Sequence, residues 1–152
     1  MIINLIGQPG SGKSVQSQML ETYFKYEMEE DVIIIDGDYI RDIFDIKDYS
    51  VRGRMQNIKR AYDIAYFLHT KGYVVIIAMV SPFRFLREDL QKKVGNEYYQ
   101  FYLHTTDVRG REEYHFDAFE IPPTNHIDTT NKTIKETYEE IRTLYREMAN
   151  VA

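Results

Sequence analysis

Gly7-Gln8-Pro9-Gly10-Ser11-Gly12-Lys13-Ser14 follows the apolar run Ile2–Ile6 and leads into a helical pattern that begins with Val15. The octapeptide matches G-x-x-x-x-G-K-[ST] in full. A strand before it and a helix after it are the context that separates a phosphate-binding P-loop from a chance match. The chemistry needs this arrangement. Glycines let successive backbone N–H groups point inward around a phosphate, and the helix N-terminus adds positive potential. Lys13 then meets the outer phosphates of a nucleoside triphosphate, and the Ser14 hydroxyl binds Mg²⁺, an ion that needs few protein oxygens. Gly7 to Ser14 and the adjoining Val15 are therefore the expected ATP site.

Outward from the loop, apolar runs alternate with longer helical patterns. Ile2–Ile6, Val32–Ile35, 73–80 and 98–103 read as strands, with His126–Asp128 a weaker fifth. Several are continuously apolar, as expected of strands covered on both faces of a parallel sheet. Val15, Met19 and Tyr23, joined by Leu20 and Phe24, trace one face of a first helix. Met55, Ile58, Tyr62, Ala65 and Leu68 trace a second, which Gly72 stops. Ile134, Tyr138, Ile141, Tyr145 and Met148 trace a last one, with Thr133 and Glu136 at capping-box spacing. The expected fold is α/β: a three-layer P-loop sandwich, with a mostly parallel sheet of about five strands and helices on both faces. Ligands of such a sheet sit beyond the carboxyl ends of the strands.

The chain has 152 residues, enough for one domain with a proper core, so 1–152 reads as a single domain. Cysteine is absent, which excludes disulfides and thiolate metal sites and fits a reducing, cytoplasmic location. No stretch approaches the roughly 20 apolar residues a membrane span requires, and nothing resembles a signal peptide. The formal net charge is −5, which argues against bulk nucleic-acid binding. Arg41, Lys47, Arg52, Arg54, Lys59 and Arg60 nevertheless crowd together in sequence, and form either a local anion site or a solvated helix face.

A GTPase of this type would need a base-reading Asn-Lys-x-Asp stretch, which the chain lacks. The second strand instead ends in Asp36-Gly37-Asp38. Two carboxylates around a glycine can direct one toward Mg²⁺ and the other toward an acceptor hydroxyl, the position a general base requires. The plain alternative is an acidic turn in which Asp38 caps the next helix. Ser81-Pro82, after the third strand, likewise reads either as a site element or as a helix N-cap followed by Pro at N1.

Several motifs, in order, resemble those of the adenylylsulfate kinase family. Asp36-Gly37-Asp38-Tyr39-Ile40-Arg41 is similar to its Asp-Gly-Asp-x-x-Arg, and Tyr49-Ser50 stands where it has Phe-Ser. Arg54-Met55-Gln56-Asn57-Ile58-Lys59-Arg60 resembles its Arg-x-Glu-Asn-Ile-Arg-Arg helix. Val80-Ser81-Pro82-Phe83-Arg84 resembles Ile-Ser-Pro-Tyr-Arg, Phe119-Glu120-Ile121-Pro122 resembles Tyr-Glu-x-Pro, and Asp128-Thr129 matches Asp-Thr. The resemblance implies transfer of the ATP γ-phosphate to the ribose 3′-hydroxyl of adenylyl sulfate. It implies Lys13, Asp38, Asp36 and Ser81 as catalytic residues, with Ser14 and Asp36 toward the metal. Arg41, Arg54 and Asn57 would hold the acceptor with Asp38, Ser81 and Pro82, and Tyr49 would stack on its base. Arg54 and Asn57, three apart, share a helix face. A homodimer is a further implication.

The chain also departs from the family. The long lid with its Lys-Gly-Leu-Tyr and Phe-Thr-Gly motifs contracts to about Asp107–Ala118, within a short lid at 107–120. Gln56 replaces a Glu and Leu86 an Asp. Tyr114 or Phe116 is then the candidate lid aromatic, and Arg109 or Arg111 the candidate lid charge near ATP. Because a lid forms half of an acceptor pocket, other acceptors stay open: a nucleoside, a hydroxymethylated pyrimidine or a modified base within DNA. A non-catalytic ATP-binding module and a partner-binding C-terminal helix are alternatives of other classes.

Overall fold

The computed structural model describes residues 1–151. Five strands form one sheet: β1 (Ile2–Ile6), β2 (Val32–Asp36), β3 (Val74–Ala78), β4 (Tyr98–His104) and β5 (His126–Asp128). Their order is β2-β3-β1-β4-β5 and every pairing is parallel. β1 and β3 are wholly buried at the sheet's centre; β3 is continuously apolar, and β1 is interrupted only by Asn4, whose amide donates to the Tyr62 and Tyr98 hydroxyls at 3.0 Å.

Alternation along these strands divides the core in two. Ile3, Leu5, Val74, Ile76, Phe101, Leu103 and Ile127 face α1 (Lys13–Thr22) and α5 (Ile134–Met148). Ile2, Val75, Ile77 and Tyr98 face α3 (Val51–Thr70) and α4 (Arg84–Val94). The short α2 (Gly37–Ile43) joins β2 to α3 and packs against it. The three layers follow from these two faces. Gly72, at φ +90°, ends α3 as expected, and the Thr133–Glu136 capping box opens α5.

Three readings shift. The third strand is shorter than 73–80, because the chain leaves the ladder before Ser81, which adopts a left-handed φ of 50°. The buried side of α1 is Gln16, Ser17 and Leu20 rather than Val15 and Met19, and α1 passes into a π-turn at Tyr23–Glu27. This polar face has local partners: Gln16 Nε2 donates to Ile134 O and the Ser17 hydroxyl to Ser14 O. On α5, Ile134 and Met148 are exposed, and Thr137, Ile141 and Tyr145 make the contact.

Candidate active site

The loop between β1 and α1 is shaped by glycine. Gly10 and Gly12 have φ of +84° and +102°, and a Cβ on Gly7 would collide with the Leu103 carbonyl. Gly7 also ties the loop to the end of β3 by donating from its N–H to Val80 O at 3.3 Å. The first amides of α1 have no intrahelical partners and converge on the loop. Lys13 lies inside, 8% exposed, donating to Gly7 O (2.8 Å), Gln8 O (2.9 Å) and Ser11 Oγ (3.3 Å). Burial pulls its ammonium down to about 8, with Arg111 pushing the same way and Asp36 and Asp38 partly opposing.

At the end of β2, Asp36 has two partners. One carboxylate oxygen accepts from the Asp38 N–H at 2.9 Å and caps α2; the other accepts from the Ser14 hydroxyl at 3.2 Å. Asp36, not Asp38, is therefore the cap, because the helix starts at Gly37 and only residue 36 has the extended backbone a cap needs. Asp38 sits exposed in the first turn with no side-chain hydrogen bond. Ser14 and Asp36 offer two hard oxygens, a donor set that fits Mg²⁺, which keeps most of its waters.

Around the junction of α2 and α3, cations and rings alternate. The Arg41 guanidinium lies 4.1 Å from the Tyr49 ring centroid, and Arg54 lies 6.0 Å from Tyr49 and 5.5 Å from Phe116. Phe116 in turn meets Phe83 edge-on at 5.5 Å. Backbone oxygens brace both arginines: Arg41 donates to Asp48 O and Arg54 to Tyr49 O. Three other members of the basic cluster have partners elsewhere. Lys47 pairs with Asp45, Lys59 with Asp63, and Arg60 lies over Phe44. Arg41 and Arg54 share the Tyr49 ring, and Arg52 acts with Arg41 on the Asp48 carboxylate.

Asn57, 3% exposed, and Ser81, 1% exposed, each carry a buried oxygen without a hydrogen-bond partner. Ser81 caps nothing: α4 begins at Arg84 with Phe83 in the cap position. Its carbonyl accepts from buried Arg87 at 2.8 Å, and Arg87 also donates to Glu120 O. Pro82 is buried behind it. Arg87 is a residue that sequence reading missed, since nothing in a charged, exposed-looking helix marks which arginine turns inward.

The short lid folds onto the loop. Arg109 donates to Gly10 O (3.1 Å) and to both the carbonyl and hydroxyl of Thr129, while the Arg111 side chain crowds Gly10. Of the two candidate aromatics, Phe116 faces the arginine ladder, whereas Tyr114 is exposed and pairs with Arg111. A separate cleft of about 320 Å³, lined by Arg84, Arg87, Tyr98 and Pro122–Asn125, opens under the amino ends of β4 and β5, away from the phosphate loop. Among the described residues no helix is long and apolar enough to cross a membrane.

Residues 1–114 match the sequence profile of the family described as adenylylsulphate kinase. A cytidine diphosphoramidate kinase of Campylobacter jejuni is 32% identical over 102 residues, covering 67% of this chain and 59% of its own length. An adenylyl-sulfate kinase of Bacillus velezensis is 34% identical over 105 residues, covering 67% and 52%. The match thus spans about half the length of these relatives. The structure of the Mycobacterium tuberculosis APS kinase CysC in complex with AMPPNP and APS superposes with a TM-score of 0.77 at 19% identity, covering 95% of this chain and 96% of that one, a likeness of fold.

Proposed function

Because this chain belongs to the adenylylsulphate kinase family, we propose that it transfers the γ-phosphate of ATP to a hydroxyl of a nucleotide acceptor, with adenylyl sulfate the first candidate. One observation carries the reading: the loop of Lys13 and Ser14, joined to Asp36 at 3.2 Å, is tied through Gln8 to Phe116, over whose ring Arg54 lies. Arg41 and Arg54 share Tyr49, and we read that arginine–aromatic group as the acceptor basin. A nucleotide-binding switch needs only the first half of that arrangement.

In this reading the P-loop amides and Lys13 hold the donor phosphates. Ser14 and Asp36 would hold Mg²⁺, which would supply positive charge to offset that of the transferring phosphates. Asp38 accepts the proton of the acceptor hydroxyl as its oxygen bonds to the γ-phosphorus and the bond to the β-phosphate oxygen breaks, releasing ADP. Arg41 and Arg54 hold the acceptor's anionic groups by paired hydrogen bonds, a geometry that suits phosphate and sulfate. Tyr49 and Phe116 supply ring faces for its base, and Asn57 and Ser81 supply polar contacts. Arg109 and Arg111 add charge on the lid side.

A second reading is favoured by the Campylobacter jejuni relative, named for cytidine diphosphoramidate and matched as strongly as the adenylyl-sulfate kinases. That acceptor would carry a pyrimidine and a nitrogen-capped diphosphate into the same basin. Labelled γ-phosphate from ATP, offered to adenylyl sulfate, cytidine diphosphoramidate, free nucleosides and hydroxymethylated DNA, separates the readings. Label on adenylyl sulfate is the expected result. Label on the cytidine compound alone establishes the second reading, and ATP binding without any labelling overturns the kinase.

Arg54→Ala should raise the acceptor KM by about tenfold or more, since a hydrogen bond to a charged group contributes about 1.5–3 kcal/mol. The turnover number should move far less, because the contact exists before and during transfer alike. Arg54→Lys should recover little, as an ammonium cannot form the paired contact. Steady-state kinetics with the labelled acceptor would show this, and an unchanged KM removes Arg54 from the acceptor site.

A further inference from the structure

Gln8 stands inside the phosphate loop, yet its side chain binds the lid. Nε2 donates to Phe116 O at 2.8 Å, and the Phe116 N–H donates to Oε1 at 2.8 Å. This double contact satisfies both main-chain groups of a residue 108 positions away, as one rung of a sheet would. On its other side the Gln8 carbonyl accepts from Lys13 Nζ at 2.9 Å. The Phe116 ring then packs against Phe83 and lies under the Arg54 guanidinium. One residue therefore links the charge that meets the donor with the aromatic wall of the acceptor basin. Residue 8 lies within the segment matched by the family profile and residue 116 beyond it.

We infer that Gln8 is a positioning residue that couples occupancy of the phosphate loop to acceptor binding, by holding Phe116 as a wall of the acceptor basin. The inference rests on the acceptor basin proposed above. Its physical basis is simple. The lid from Arg109 to Glu120 is largely exposed and is held at a few points, by Arg109 at one end, Phe119 and Glu120 at the other, and Phe116 between them. Donor phosphates bound among the loop amides immobilise the backbone of Gln8, and the two hydrogen bonds pass that constraint to the Phe116 peptide. By linkage, an acceptor that stacks on Phe116 tightens the loop around the donor by the same factor.

Gln8→Met keeps the length of the side chain and removes both hydrogen bonds. Gln8→Glu keeps an oxygen for the Phe116 N–H and loses the donor, so it should fall between wild type and Gln8→Met. Amide exchange at Phe116, read by NMR, tests the tie without any acceptor. A non-hydrolysable ATP analogue should slow that exchange in the wild type by about fivefold or more, and leave it unchanged in Gln8→Met. No slowing in the wild type, or equal slowing in the variant, overturns the coupling.

With a labelled acceptor, Gln8→Met should raise acceptor KM by about tenfold, more than it lowers kcat or weakens the nucleotide. Added to Phe116→Ala it should cost nothing further, because both act through one wall. Additive losses would overturn the assignment of Phe116 as the intermediary. If no acceptor is labelled, the kinase reading fails, while the exchange measurement still decides whether Gln8 transmits nucleotide binding to the lid.

Discussion

Asp38→Asn is expected to lower turnover by about 10²–10⁴-fold, the range that removal of a general base produces, while ATP still binds. Asparagine has the same shape and cannot take the proton of an acceptor hydroxyl. The substitution is also structurally quiet. The Asp38 side chain is exposed and bonds to nothing, and the α2 cap relies on the Asp38 backbone N–H and the Asp36 carboxylate, both of which survive. Loss of a negative charge from the first helical turn should lower stability by about 0.3–1 kcal/mol. Nucleotide affinity should stay close to wild type, because Ser14 and Asp36 keep their contact at 3.2 Å. Single-turnover kinetics with labelled ATP, beside calorimetric nucleotide binding, would read both quantities. A fall in turnover of less than about tenfold would remove Asp38 as the base. Loss of nucleotide binding instead would assign it to the donor half.

The parts of this architecture that sequence discloses are those governed by local rules. β3 is a continuous apolar run, and β1 is one but for the buried Asn4, because both of their faces are covered, and their cores are legible. The phosphate loop is legible because its glycines and its lysine are required at fixed spacing. Where local rules compete, tertiary contacts decide. Ser81-Pro82 has the composition of a helix start, yet Arg87 captures the Ser81 carbonyl and the helix begins three residues later. Gln16 and Ser17 look like a solvent face and are buried, because the end of α1 beside the loop packs against α5 through Ile134. Six basic residues look like one patch, and acidic neighbours claim two of them. The Gln8–Phe116 contact spans 108 residues and leaves no periodic trace. Contacts of that kind join the lid to the loop, which is why the loop reads from sequence and the lid's attachment to it does not.

Lys13→Met should reduce turnover by about 10³-fold, the loss expected when a preorganised cation or donor is removed from a transferring phosphoryl group. It should also change how the protein responds to pH. Burial has lowered the Lys13 ammonium from 10.5 to about 8. Between those values the unfolded chain holds a proton that the folded chain has released, so folding stability rises with pH across this window. Each pH unit corresponds to about 1.4 kcal/mol, so the full rise contributed by Lys13 is about 3–4 kcal/mol. Below pH 8 that contribution is absent, and the cost of a buried charge is borne in full. Denaturant melts of wild type and Lys13→Met between pH 7.5 and about 9.5 should therefore diverge in slope, with the wild type gaining relative to the variant. Bound nucleotide reverses the effect. Phosphates beside the ammonium restore its affinity for a proton, so binding above pH 8 must take one up, and ATP affinity should fall by about tenfold per unit toward pH 9. Calorimetry in buffers of different ionisation enthalpy measures that uptake directly, since the phosphates of ATP are already fully ionised there. A flat affinity between pH 8 and 9, with no proton uptake, would mean that Lys13 stays charged in the empty loop. Its three hydrogen bonds to Gly7, Gln8 and Ser11 would then outweigh the desolvation that burial imposes.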